Sequence, residues 1–174
     1  MPRLSKVIHL IDQFTLLLGK LIAGLTVLMV ITMFLIVVLR YGFNLGWIAM
    51  QESVLYLHGA IFMLGAGYTL LANGHVRVDI FYQRFSVKQQ AWVNFLGTLL
   101  LLMPVTVFIV IISFDYVQTS WMIMEKSQEA GGLPLVYLNK SLIIVLAVTL
   151  FIQGVAELLK AVQQLQNQSI GEVK

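Results

Sequence analysis

The stretch LIAGLTVLMVITMFLIVVL, residues 21–39, decides the fold because none of its residues carries a formal charge. A bilayer has a hydrocarbon core about 30 Å thick, and an α-helix needs about 20 apolar residues to cross it. Lys20 and Arg40 bound the stretch, at the positions where such a helix would leave the hydrocarbon. The sequence therefore predicts a transmembrane helix over about residues 21–39.

Three further stretches of the same kind follow along the chain. They predict spans over about residues 53–72, 90–114 and 139–159. Their apolar residues run continuously, whereas the strands of a membrane barrel alternate over about 10 residues. We therefore expect an all-α integral membrane protein with about four transmembrane helices, forming a single membrane domain over residues 1–174.

The composition excludes several classes of protein. The chain is 59% hydrophobic and only 11% charged, whereas a soluble domain carries about 25% charged residues. It has no cysteine, which excludes disulfides, thiolate metal sites and a cysteine nucleophile. The net charge of +3 is too small to indicate a nucleic-acid partner. No phosphate-binding, zinc-protease or serine-hydrolase motif occurs, so we expect no enzyme, no catalytic residue, no cofactor and no metal.

The segment before the first span has a different pattern. Apolar residues recur at helical spacing over about residues 4–19, and polar residues fall mostly on the other side. This pattern predicts an amphipathic helix, which either lies at the membrane interface or extends the first span. A cleaved signal peptide is less favoured, because the apolar block is too long and no small-residue cleavage site follows. The Gln-rich tail, about residues 161–174, is predicted to fray from the last helix.

The distribution of lysine and arginine predicts the orientation of the chain. With four spans, the N-terminal segment, the second loop and the C-terminal segment share one side, and they hold eight of the eleven basic residues. We therefore expect both termini, including the tail, in the cytoplasm. Trp92 and Trp121 bracket the third span and would lie about 43 Å apart along a helix, which matches a bilayer with its headgroups.

Three features lie inside the spans. His58 is polar at membrane depth, and we expect it to bond to a neighbouring helix; ligation of a haem, which needs a second histidine at matching depth, is the less favoured alternative. Small residues predict a face where helices approach closely, at positions 59, 60, 65, 66 and 67. Pro104 predicts a kink in the third span, which a membrane helix tolerates.

Two charged clusters flank the second span. Arg40 and Glu52 lie at the ends of the first loop, where they form either a structural ion pair or a contact surface for an extracytoplasmic partner. In the segment GHVRVDI, residues 74–80, His75, Arg77 and Asp79 alternate with apolar residues. Such a triad is able to relay protons, but it lies in a loop, so an anchoring role is favoured. No span has a carboxylate or cation at its centre, as coupled transporters usually do, which indicates an accessory subunit.

These elements resemble a known family over roughly residues 10–160. The residues from Arg40 to Glu52, followed by GAGYTLLANGHVRVD at residues 65–79, are similar to the small, DctQ-like (Q-type) membrane subunit of tripartite ATP-independent periplasmic (TRAP) transporters. The resemblance implies two protein partners in the bacterial inner membrane and periplasm, a large multi-span membrane subunit and a solute-binding protein, with membrane lipid around the chain. It also implies sodium-driven symport of a small solute, often an organic acid, by the large subunit. This chain would brace the large subunit and help to dock the binding protein.

The resemblance also implies places for seven residues, none of them catalytic. Four would lie at the periplasmic end of the first two helices: Arg40, Tyr41, Trp47 and Glu52. Three would order the cytoplasmic turn after the second helix: His75, Arg77 and Asp79. The alternative function is a stand-alone small membrane protein, such as a redox or channel subunit.

Overall fold

A computed structural model describes residues 2–75 and 82–171, which contain four long helices. They are α1 (Pro2–Phe43), α2 (Ile48–Leu71), α3 (Val87–Met122) and α4 (Val136–Gly171). The described ranges contain no strand, and each helix includes a stretch long and apolar enough to cross a membrane. The predicted all-α membrane fold with four spanning helices is therefore confirmed.

α1 is one uninterrupted helix of 42 residues. Residues 4–19 therefore continue directly into the first span, which is the second of the two arrangements that the amphipathic pattern allows. No proline follows Pro2 within the helix. At 1.5 Å per residue α1 is about 63 Å long, roughly twice the thickness of a hydrocarbon core of about 30 Å.

α3 is irregular in its middle. It begins as the α-helix Val87–Gly97, passes through the π-helical segment Thr98–Leu102, and continues as the α-helix Met103–Met122. Pro104 follows the π-helical segment closely, and it has no N–H to give to the carbonyl four residues earlier, which its ring also displaces. The kink at Pro104 stays a prediction, and what the structure shows just before this proline is the π-helical segment.

Local sequence explains where two of the helices begin or end. Ser86 and Gln89 form a capping box before α3, in which each side chain accepts a hydrogen bond from the other residue's N–H. α2 and α3 both end next to a residue in the left-handed conformation, Asn73 (φ 52°) and Met124 (φ 46°). At both ends this residue and the next one donate their N–H groups to carbonyls of the last turn, as in a Schellman motif.

α4 is the central helix of the bundle, because it contacts α1, α2 and α3, while α1 and α2 also pack on each other. Small residues allow α2 to approach α4 closely. Gly67 lies against the backbone of Thr149, and Gly59 lies against the side chain of Asn139. Two members of the predicted small-residue face therefore pack within the chain.

The bundle has two ends, named here after a residue at each. The Glu52 end contains the α1–α2 connection, residues 44–47, and the α3–α4 connection, residues 123–135. The Asp12 end contains the first half of α1 and the second half of α4, which contact each other through Asp12 and Lys160.

Candidate functional site

The Glu52 carboxylate holds the α3–α4 connection against α2. Its Oε1 accepts a hydrogen bond from Ser127 Oγ, and its Oε2 accepts one from the backbone N–H of Leu133 at 2.6 Å. Ser127 is also tied to Leu133 directly, because its N–H donates to the Leu133 carbonyl at 3.1 Å. One side chain on α2 thus fixes two separate points of the connection. We call Glu52, Ser127 and Leu133 the Glu52 cluster.

Gly132 makes room for the Glu52 cluster. A Cβ atom at this position would lie 2.9 Å from Glu52 Oε1 and would overlap the Ser127 side chain. The preceding residue, Gly131, has a φ of 80°, a conformation that favours glycine. Gly132 therefore gives the Glu52 carboxylate the room that it needs to reach the backbone of the connection.

A second cluster, the Lys140 cluster, lies at the same end between α3 and α4. Lys140 Nζ pairs with Glu125 Oε2 at 2.5 Å and lies 4.0 Å from the centre of the Tyr116 ring. Trp121 Nε1 donates a hydrogen bond to Ser141 Oγ at 2.8 Å. The hydrogen bond from Lys140 lowers the pKa of the Glu125 carboxyl below its ordinary value. These contacts fasten the last turns of α3 and the start of the connection to α4.

Three exposed side chains lie at the Glu52 end, in the last turn of α1 and in the α1–α2 connection. Tyr41 is 80% exposed and Trp47 is 60% exposed, and Arg40 is exposed as well. Among the described residues Arg40 forms no ion pair with Glu52, whose oxygens bind Ser127 and Leu133 instead. The structure therefore does not contain the ion pair considered for Arg40 and Glu52, and it leaves Arg40, Tyr41 and Trp47 accessible.

The remaining predicted site residues belong to the turn after α2. His75 is exposed there, while Arg77 and Asp79 lie outside the described residues. The association of these three residues therefore stays a prediction.

His58 lies on the outer surface of α2, with an exposed side chain. In the part of the chain that the structure describes, its ring has no hydrogen-bond partner. The hydrogen bond that we expected between His58 and a neighbouring helix is thus not made among residues 2–75 and 82–171.

A buried polar network at the Asp12 end escaped the sequence analysis. The side chain of Gln153 on α4 is completely buried. Its Oε1 accepts a hydrogen bond from Thr15 Oγ1 at 2.7 Å, and its Nε2 donates to Asp12 Oδ1 and Glu157 Oε1, each at 3.1 Å. Lys160 Nζ donates to the same two carboxylate oxygens at 3.0 and 2.8 Å. We call these five residues the Gln153 network. The network joins α1 to α4.

One residue in the sequence could have indicated this network, namely Gln153, a glutamine within the last apolar span. A polar side chain at membrane depth is costly unless it finds a partner, so it marks a contact between helices. The partner on α1 was hidden, because Asp12 and Thr15 precede the first span and only the extension of α1 brings them beside α4.

The Glu52 cluster, the Lys140 cluster and the Gln153 network each join elements that are far apart in the chain. Their carboxylates accept hydrogen bonds from ammonium, amide or hydroxyl groups of the same cluster. Within the described residues no group of three or more histidine, aspartate or glutamate side chains is placed to hold a metal ion. The geometry thus supports a structural or partner-binding role.

Comparison with known proteins points to one family. The model of the family described as "Tripartite ATP-independent periplasmic transporters, DctQ component" matches residues 29–164. No curated protein matches the chain, and no solved structure matches it either. The matched range covers well over half of the chain and includes the Glu52 cluster, the Lys140 cluster and Gln153, but it begins after Asp12 and Thr15.

Proposed function

The chain belongs to the DctQ-component family of TRAP transporters, and we propose that it braces the large membrane subunit of such a transporter. The family is a transporter component and not an enzyme family. Its transport systems have three parts, which implies association with a large permease subunit and a solute-binding protein. The match over residues 29–164 is the observation that carries the proposal, and the four spanning helices agree with it.

The bracing role is supported by polar contacts at both ends of the central helix. The Gln153 network ties α4 to α1, and the Lys140 cluster ties α4 to α3 and the α3–α4 connection. Sliding α4 past α1 would leave the buried side chains of Gln153 and Thr15 unpaired, at a cost of about 1–3 kcal/mol each. A bundle held in this way is suited to act as a rigid support for the large membrane subunit.

The Glu52 end has features that suit docking of the solute-binding protein. It presents Arg40, Tyr41 and Trp47 on the surface, while Glu52 holds the neighbouring connection in place. Arginine and aromatic side chains are enriched at protein interfaces, where they contribute much of the binding energy. We place this end in the periplasm and both termini in the cytoplasm of a cell with an inner membrane, because the basic residues concentrate towards the other end.

The transport reaction that we propose is sodium-driven uptake of a small solute, an organic acid by analogy with the family. In this proposal the large subunit carries the solute and sodium sites, and the present chain contributes stability and docking. The chain's own helices agree with this division, because no carboxylate or cation lies at the centre of its spans.

Uptake by reconstituted proteoliposomes tests the proposal. Vesicles would contain the large subunit with or without this chain, with the binding protein outside and an inward sodium gradient. We expect uptake only when both membrane subunits are present, and we expect it to stop when the sodium gradient is collapsed. Equal uptake by the large subunit alone would contradict the bracing role, and solute flux through vesicles containing this chain alone would favour a channel.

A further inference from the structure

A polar cavity lies beside the end of α3, next to the Lys140 cluster. It has a volume of about 450 Å³ and opens towards the outside of the bundle. Six of the side chains that line it are polar: Asp115, Tyr116, Thr119, Ser120, Glu125 and Lys140. We call this cavity the Asp115 cavity. Contacts within the Lys140 cluster already use Tyr116, Glu125 and Lys140, and the other three polar side chains lie outside that cluster.

One hydroxyl group of the Asp115 cavity has no partner within the chain. Ser120 is only 1% exposed, and its Oγ forms no hydrogen bond with any residue that the structure describes. Lys140, and after it the Ser120 hydroxyl, lowers the pKa of the nearby Glu125 carboxyl, but the hydroxyl and the carboxylate lack the geometry of a hydrogen bond. A buried polar group without a partner is costly, so this hydroxyl indicates that a group from outside the chain completes the cavity.

The Asp115 cavity also carries one uncompensated negative charge. Lys140 forms an ion pair with Glu125 at 2.5 Å, whereas no cation among the described residues pairs with the carboxylate of Asp115. Asp115 is exposed, so a ligand from outside the bundle is able to reach it. A primary ammonium group carries one positive charge and three N–H donors, and it therefore complements a carboxylate that lies beside hydroxyl oxygens.

The depth of the Asp115 cavity matches that of lipid headgroups. The uncharged stretch of α3 ends at Asp115, and that of α4 begins after Lys140. Charged residues at these positions mark where a helix leaves the hydrocarbon. Trp121 lies shortly beyond Asp115 in the same helix, and tryptophan is enriched at the interface between membrane and water. The cavity is therefore within reach of the headgroups of one leaflet.

An exposed apolar stripe leads along α3 to the Asp115 cavity. It consists of Val105, Phe108 and Ile112, which are between 53% and 64% exposed, and we call it the α3 stripe. Spacings of three and four residues continue from Ile112 to Tyr116 and Thr119 of the cavity lining, so the stripe and the cavity share one face of the helix. In a membrane the acyl chains of lipids cover such a stripe. This face therefore offers a place for a headgroup next to a place for an acyl chain.

We propose that the Asp115 cavity binds a phospholipid with a primary ammonium headgroup, of the phosphatidylethanolamine type, whose acyl chain lies along the α3 stripe. The ammonium group would donate hydrogen bonds to Asp115 and Ser120. Lys140 has N–H donors beyond the one that Glu125 accepts, and these would face the phosphate. All of these residues belong to this chain, so the inference goes beyond the proposed function and does not depend on it.

A series of lipids that differ only in the headgroup tests the proposal. The full chain, purified in mild detergent and stripped of lipid, would be offered phosphatidylethanolamine, its N-methyl and N,N-dimethyl derivatives, and phosphatidylcholine, all with the same acyl chains. Native mass spectrometry would quantify the lipid that each sample retains. Methylation removes the N–H donors one at a time and keeps the positive charge, so we expect retention to fall along the series. Equal retention of phosphatidylethanolamine and phosphatidylcholine would overturn the proposal.

Two variants report on the groups that would hold the headgroup. Asp115→Asn should lower the retention of phosphatidylethanolamine to that of phosphatidylcholine, a loss of about threefold, as for an exposed ion pair. Ser120→Ala should lower retention as well, without lowering the unfolding midpoint of the lipid-free chain, because it removes a hydroxyl that has no partner there. Glu129→Gln changes an exposed carboxylate outside the cavity and is the matched control. An Asp115→Asn chain that retains the lipid as well as the native protein does would contradict the proposal.

Two further measurements distinguish other occupants of the cavity. Soluble phosphoethanolamine has no acyl chain to lie on the α3 stripe, so it should not displace the lipid at equal concentration. Displacement would assign the cavity to a free solute and overturn the lipid site. The complex co-purified with the large subunit should retain phosphatidylethanolamine with the same preference as the chain alone. Loss of the preference in that complex would show that a cation of the large subunit pairs with Asp115, and it would overturn the proposal.

Discussion

Gln153 is a single buried amide on which the contact between α1 and α4 depends. Its oxygen and both of its N–H groups are used, by Thr15, Asp12 and Glu157. In a low-dielectric interior each such bond is stronger than in water, and each unpaired group is correspondingly costly. Loss of this one side chain would therefore remove the hydrogen bond that Thr15 makes to α4, and it would leave Asp12 and Glu157 bonded to Lys160 alone.

Replacement of Gln153 by leucine tests this role. Gln153→Leu keeps the side-chain size but leaves Thr15, Asp12 and Glu157 without the amide, so we expect a loss of about 1–3 kcal/mol in stability. A thermal unfolding scan in mild detergent measures the effect as a lower midpoint. Gln166→Leu, at an exposed position of the same helix, is the matched control and should leave the midpoint unchanged. Equal midpoints for native protein and Gln153→Leu would show that the network contributes nothing.

Gly19 is the position where α1 accepts the ring of Tyr68 from α2. A Cβ atom at Gly19 would lie 2.8 Å from Tyr68 Cε2, so Gly19→Ala should displace the ring and lower the unfolding midpoint. Gly24→Ala is the control, because a Cβ there meets nothing within 4 Å and alanine is the better helix former. The double variant Gly19→Ala with Tyr68→Ala removes the overlap, so a further drop rather than partial recovery would contradict the packing.

At the residue scale, the sequence singles out Glu52 as a candidate but does not indicate which residues it bonds to. A glutamate at the start of a span after a short loop was enough to single it out. Ser127 and Leu133 lie 75 and 81 residues away in the chain, in a connection without a regular pattern, and no local rule relates them to Glu52. The same reason hid the partners of Gln153, whose bonds to α1 cross 138 and 141 residues.

At the scale of elements, the α3–α4 connection is fixed in part by a pH-sensitive pair. The pKa of Glu125 in the folded protein is lowered by the hydrogen bond from Lys140. The pair therefore stabilises the fold fully above the ordinary carboxyl pKa of about 4.3. That stabilisation is lost as the pH falls through the lowered folded pKa, because the carboxyl group then becomes protonated.

A pH series of unfolding midpoints tests this prediction. At neutral pH the native protein should unfold at a higher temperature than Glu125→Gln, and the difference should shrink as the pH falls below about 4. Glu129→Gln changes an exposed carboxylate of the same connection and is the matched control for the loss of one negative charge. A native advantage over Glu125→Gln that persists unchanged at the acidic limit would refute the pairing.

The four spanning helices are the part of the fold that the sequence predicts best. Long uncharged stretches specify spans because the hydrocarbon tolerates little else, and Pro104 marked the irregular part of α3. The pattern of residues 4–19 does not decide their course, because an amphipathic pattern suits both a helix on the membrane surface and an extension of the span. Packing of Asp12 and Thr15 on α4 is compatible with the extension that the structure shows.

At the scale of the whole molecule, the DctQ resemblance found in the sequence is confirmed by the family match. The structure adds that the two ends of the bundle carry different side chains. The Glu52 end has Tyr41 and Trp47 exposed beside a fixed connection, and the Asp12 end contains the buried Gln153 network. In the function that we propose, the solute-binding protein docks at the Glu52 end.

Docking of the binding protein is expected to depend on Trp47. Trp47→Ala removes an exposed aromatic side chain and should raise the binding-protein concentration required for half-maximal uptake by about fivefold or more, without reducing the amount of assembled membrane complex. Trp92→Ala, an exposed tryptophan near the start of α3, is the control and should leave that concentration unchanged. A raised concentration for Trp92→Ala and an unchanged one for Trp47→Ala would contradict docking at the Glu52 end.

Co-purification tests the central claim most directly. The tagged chain would be expressed with the genes that neighbour it, extracted in mild detergent, and the proteins that elute with it identified and quantified. The account predicts a large multi-span membrane protein in fixed stoichiometry, retained through size-exclusion chromatography. A chain that elutes alone, folded and stable, while the large subunit is present in the same membranes, would contradict the role of a bracing subunit.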